Sequence, residues 1–168
     1  MKFSIGETLV YPHHGAVTIT KVERMSIKGV EREFMTLRVH SSDLVIKVPI
    51  ENVELVGVRD VIDATGVNDV FDVLRAEQIE EPTNWSRRYK ANQEKMASGS
   101  VIRVSEVVRD LWRRDQNGGV SAGEKRMLQR AWQILTSEIA LARHESDEGA
   151  SAVIEEVLAS SLPAQATA

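Results

Sequence analysis

At Pro82 the chain changes character. An acidic run ends there, and Pro82-Thr83-Asn84-Trp85-Ser86-Arg87-Arg88-Tyr89-Lys90 brings together a helix start, two aromatics and three arginine or lysine neighbours of Trp85, with Arg88 beside Tyr89. Pro82 turns Glu81 away from helical geometry, and Asn84 is a favourable N-cap. From Ser86 to Ala97 there is no proline or glycine, so a helix is expected to open at about Trp85. Arg88 and Tyr89 then lie one turn beyond Trp85, flanked by Arg87 and Lys90. Two readings fit these residues. An indole at a helix mouth can staple the incoming chain to a core, or it can lie against bases while the cations meet phosphates.

The distribution of charge favours the second. Residues 1–82 carry 9 Lys+Arg against 14 Asp+Glu, residues 83–132 carry 11 against 5, and residues 133–168 carry 1 against 6. A chain of net charge −4 therefore contains a basic segment that its overall acidity conceals. The same break divides 168 residues into two small domains. With no cysteine, a disulfide framework and a thiolate metal site are excluded, and the composition suits a reducing compartment. No apolar run approaches the roughly 20 residues that span a bilayer. The start, Met1 to Gly6, lacks a signal peptide's apolar segment. A cytoplasmic protein without a membrane partner is expected.

Residues 1–60 read as β structure. Thr8 to Tyr11, Ala16 to Glu23, Glu31 to His40, Leu44 to Val48 and Glu54 to Val58 are β-branched or aliphatic runs, separated by Pro12-His13-His14-Gly15, Lys28-Gly29, Ser41-Ser42-Asp43 and Pro49. Val17 and Ile19 alternate with Thr18 and Thr20, the period of a half-buried strand. Five short strands in so few residues predict a small, strongly bent Tudor/SH3-like barrel, a form that usually serves binding.

Residues 61–82 read as a connector, broken at Gly66, with one short helix from Val70, Phe71 and Leu74 and an acidic end at Glu77, Glu80 and Glu81. Residues 83–160 are helical in pattern and 161–168 a frayed tail, so the fold class is α+β in two domains. Ser98-Gly99 ends the first helix and Ser100 opens the second, whose Val101, Val104, Val108 and Leu111 form one apolar stripe. Asn117-Gly118-Gly119 stops it. Ser121-Ala122-Gly123-Glu124 has the spacing of a capping box. Leu128, Ala131, Leu135, Ile139 and Ala142 stripe the long helix that follows, His144 to Gly149 ends it, and Val153, Ile154, Val157 and Leu158 give a last short one.

His13-His14 is no metal pair, because adjacent histidines in an extended turn diverge and no third ligand stands at a recognisable spacing. Phosphate loop, nucleophile elbow and paired catalytic carboxylates are all missing from the sequence. No catalytic residue, metal, cofactor or small-molecule substrate is expected, and the chain is read as no enzyme. Trp112 and Trp132 lie beside apolar stripes as core or core-edge residues. Lys125 and Arg126 differ from the other cations, since they occupy the first turn of a helix, where the macrodipole disfavours positive charge and an external anion would be welcome.

Tyr11-Pro12-His13-His14-Gly15, Ile27-Lys28-Gly29, Val48-Pro49, Val56-Gly57-Val58-Arg59, the block Glu81 to Asn92, the block Val107 to Gln116 and Val120 to Leu128 together resemble the CarD family in its actinobacterial form. The resemblance runs from Phe3 to about Ala142. It implies a Tudor-like domain binding the RNA polymerase β subunit at its β1 lobe, and a helical domain at the upstream edge of the transcription bubble. There Trp85 would wedge into the promoter minor groove, with little sequence preference, and stabilise the open complex, in a family that regulates ribosomal RNA and many other genes. Arg87, Arg88, Lys90, Arg114, Lys125 and Arg126 are the expected DNA-binding companions. Arg24, Met25, Ile27, Lys47 and Pro49 are the expected polymerase contacts. Where the family carries arginine this chain has Met25 and Lys47, and Arg24 cannot replace a residue at 25 because strand neighbours point to opposite faces. Two other functions fit a basic helical domain: a protein-interaction adaptor, and a single-strand RNA binder stacking bases on Trp85 and Tyr89.

Overall fold

The computed structural model describes residues 3–77 and 81–162. Four strands follow one another as antiparallel neighbours: β1 (Thr8–Tyr11), β2 (Gly15–Ile27), β3 (Val30–Val39) and β4 (Val45–Pro49). A 3-10 turn (Ile50–Asn52) and a one-turn helix α1 (Val53–Val56) then carry the chain round to β5 (Arg59–Asp60), which pairs with β1, so that the order is β4-β3-β2-β1-β5. Lys28 and Gly29 both adopt left-handed backbone (φ 51 and 79), as a tight two-residue hairpin requires. A bulge between Ile19 and Lys21 bends β2. Leu9, Val17, Ile19, Met35, Leu37, Val39 and Val48 fill the concave face. The result is the expected small Tudor/SH3-like module ahead of a helical one.

The strand expected over Glu54 to Val58 is instead α1. Val53 faces the core, Leu55 is 86% exposed and Gly57 closes the turn at φ 91, so the apolar residues obey a helical period rather than alternation. The fifth strand is only the two residues after it.

Helices α2 (Ala64–Arg75), α3 (Trp85–Ala97), α4 (Val101–Gln116), α5 (Ala122–Arg143) and α6 (Asp147–Ser160) make the second module. Residues 61–82 hold more than a connector, because Val67, Val70 and Leu74 of α2 lie in the same core as Val104, Val108 and Leu111 of α4 and Leu135 and Ile139 of α5. Gly66 does not break α2. Asp63 caps that helix by accepting from the Gly66 N–H at 2.9 Å, and a side chain at 66 would meet Ile62 at 2.7 Å. Ser100 caps α4, and the Ser121–Glu124 capping box is present on α5. His144 ends α5 in left-handed geometry, and α6 starts at once behind its Ser146 cap, longer than its apolar residues alone indicated. Within the expected tail, Ser161 caps α6, while 163–168 lie outside the described residues, as does Glu80.

The two modules meet through polar side chains. Arg59 on β5 grips the buried Glu138 of α5 with two bonds, at 2.7 and 2.8 Å, and donates to the Gly99 carbonyl at 3.0 Å. Glu138 also accepts the Ile62 N–H at 3.0 Å. The Pro12-His13-His14-Gly15 turn completes the joint. Gly15, at φ 77, lies so close to α5 that a side chain would sit 3.1 Å from Ile134, and Arg130 donates to the His13 carbonyl at 2.8 Å.

Candidate nucleic-acid interface

The chain before α3, the end of α4 and the start of α5 come together at one end of the helical module. Asn84 caps α3 by accepting from Ser86 and Arg87 backbone N–H groups, which sets Trp85 as the first helical residue, at the mouth. Its indole is 47% exposed, stacked on Tyr89 with centroids 5.1 Å apart and planes 16° from parallel. The indole N–H donates to Glu124 Oε1 at 2.8 Å, and lies 3.4 Å from the Ser121 hydroxyl. Trp85 is thus neither a buried staple nor a loose surface ring.

Glu124 is the hub. It is 1% exposed, accepts from Trp85 and the Ser121 N–H on one oxygen, and accepts from Arg88 Nε on the other at 3.4 Å. Burial works against its charge, but the bonds from Arg88, the Ser121 backbone and Trp85 outweigh it and hold its carboxyl below the ordinary range.

Arg88, expected at the DNA, is therefore turned inward. It is 7% exposed and paired with Glu124, because its position on α3 faces α5 rather than solvent. Arg114 is also committed, to Glu81 at 2.8 Å, tying the end of α4 to the chain that leads into α3. The other cations behave differently. Arg87 and Lys90 on α3, and Lys125 and Arg126 near the N-terminus of α5, are exposed and form no ion pair among the described residues. Trp112 and Trp132 pack against the helical core as expected, and among the described residues no metal-binding group of His, Cys, Asp and Glu occurs. No helix among the described residues is long and apolar enough to cross a membrane.

A second surface is the outer face of the sheet. Pairing puts Lys47 beside Thr36, Pro49 beside Phe34 and Glu23, and Met25 beside Arg32, so Met25, Ile27, Lys47 and Pro49 share that face. Lys47 Nζ lies 3.1 Å from Glu23 and 3.8 Å from the Met25 sulfur. Arg24 is on the opposite face, paired with Glu33 at 3.2 Å.

Sequence reasoning saw the Ser121–Glu124 box but missed the grip of Glu124 on Trp85. It also missed Tyr89 as the ring beneath that indole, although the spacing of four residues on one helix already brings the two together. Arg59 and Glu138 gave no local signal.

An exposed aromatic among free cations, joined firmly to a small antiparallel sheet, defines a two-module protein of the macromolecule-binding class. The family model "CarD-like/TRCF RID domain" matches residues 3–62, and "CarD, C-terminal domain" matches residues 69–155. The chain belongs to the CarD family, whose members are transcription regulators associated with RNA polymerase. It is 29% identical over 137 residues to YdeB of Bacillus subtilis (strain 168), which bears the name of a transcription factor; the match covers 82% of this chain and 90% of that one. The solution structure of the 72-residue N-terminal domain of Myxococcus xanthus CarD is 27% identical, covering 35% of this chain and 79% of that one, with a TM-score of 0.31.

Proposed function

We propose that this protein bridges RNA polymerase and promoter DNA and stabilises the open complex without catalysing a reaction. The outer sheet face, with Met25, Ile27, Lys47 and Pro49, contacts the β subunit at its β1 lobe. The other end of the molecule meets the upstream edge of the bubble, where Trp85 enters the minor groove and Arg87, Lys90, Lys125 and Arg126 meet phosphates. Arg88 and Arg114 support this end from within.

The observation that carries the reading is the half-exposed indole, held in one pose at the mouth of α3, with Arg87, Lys90, Lys125 and Arg126 exposed on α3 and α5 and in no ion pair among the described residues. A rigid flat ring can fill a gap beside an unstacked base pair, and it then favours melted DNA over closed duplex; only such a difference shifts an equilibrium. The helical pattern around Trp85 offers no Asn, Gln and Arg array on a reading helix among the described residues, so binding should be weak and indifferent to sequence. Polymerase supplies the address. A single-strand RNA binder fits less well, because Trp85 covers the face of Tyr89 and the two rings present one platform rather than two.

The test is Trp85→Ala in an open-complex lifetime assay with intact polymerase. Stacking of this kind is worth about 1 to 3 kcal/mol, so the lifetime gain should fall by a factor of several to about a hundred, with polymerase binding unchanged and the melting temperature lowered only slightly by loss of the bond to Glu124. An unaltered lifetime would refute the reading. A melting temperature lower by many degrees, restored by Trp85→Phe, would make the indole a core staple instead.

A further inference from the structure

We infer that Glu124 is the positioning residue for Trp85: its carboxylate, seated under the start of α5, fixes the indole in the pose that faces DNA. The inference rests on the proposed role of Trp85 as the DNA-contacting ring.

Capping alone does not account for Glu124. A capping box needs the glutamate only to return to its own N-cap N–H, yet that bond is 3.4 Å while the one from the Trp85 indole is 2.8 Å. The carboxylate is therefore better seated for the neighbouring helix than for its own. Its second oxygen is held by Arg88, three residues beyond Trp85, so the indole and the guanidinium approach one carboxylate from the same helix. The ring is also held by Tyr89 stacked beneath it and by a longer contact from its N–H to the Ser121 hydroxyl at 3.4 Å. One face is left open to solvent, and the N–H is already committed. It follows that Trp85 offers DNA a flat surface and no donor, which agrees with binding by shape rather than by base identity.

The geometry makes Glu124 act through Trp85, and this separates positioning from mere support. In full-length protein, Glu124→Ala should weaken binding to a forked duplex by about two- to tenfold, the factor that loss of one pre-ordered side chain carries. Glu124→Gln keeps an acceptor for the indole and should restore most of it. In a Trp85→Ala background Glu124→Ala should change the affinity no further. A residue that only stabilised the fold would weaken binding equally in both backgrounds, and that result would overturn the inference.

Folding does not limit the second measurement, which uses the unmodified chain. By proton NMR, the Trp85 indole N–H should exchange with solvent far more slowly than its exposure would allow; exchange as fast as in a free indole would also overturn the inference. If Trp85→Ala binds the fork as well as the unmodified protein does, the proposed function fails and this role with it. If Trp85→Ala is weak while Glu124→Ala is undiminished, positioning alone fails.

Discussion

Arg88 and Lys90 stand two residues apart on one helix and have opposite surroundings. Removing Arg88 strands the buried carboxylate of Glu124, and breaking a buried pair from one side costs about 3 kcal/mol. Arg88→Ala should therefore lower the midpoint of urea unfolding. Lys90→Ala should leave that midpoint alone and, on the proposed function, flatten the salt dependence of DNA binding, since each phosphate contact contributes about −0.9 to the slope. Glu124 adds a pH signature. Its folded value is depressed, so its contribution is complete above the ordinary carboxylate value near about 4.3 and fades as the pH falls through the depressed one. Glu124→Gln should accordingly lose less stability than the unmodified chain when both are taken from neutral to strongly acid solution, measured as urea midpoints. The sequence placed both cations on one helix but treated them alike. Helical periodicity says which residues share a face, and it is silent about a carboxylate 36 positions away.

At the scale of elements, legibility followed length. The long strands announced themselves by alternation and the long helices by stripes and caps, whereas α1 and β5 are too short for any period to show. Their placement is tertiary: β5 exists because it returns to the free edge of β1. Gly66 is the instructive error, for a glycine that looks like a breaker can be a point of close approach. Propensity alone favours Gly66→Ala by about 1 kcal/mol. The 2.7 Å approach to the branched Cβ of Ile62 should reverse that sign, so the variant should unfold at lower urea than the parent. The role of α2 also decides where a fragment holding the sheet module should end. A piece ending at Arg75 would bare Val67, Val70 and Leu74, so a cut near residue 62 should give the more soluble sheet module, judged by monodispersity in gel filtration.

For the whole molecule the decisive element is the joint between modules. Arg59→Ala leaves a buried glutamate without its partner, and should loosen the joint while both modules stay folded. On the proposed function, polymerase binding and fork binding measured separately should survive that change, and the gain in open-complex lifetime should shrink. Equal lifetimes would show that orientation is immaterial. Gly15 pressed against α5 gives the joint a further meaning. A string between two grips lets the second wander, and its local concentration falls as the string lengthens; a molecule whose grips are set in one block behaves as a caliper. Seated on polymerase, it would present its indole at one distance along the DNA, and a promoter whose melted edge fell elsewhere would have to bend to reach it.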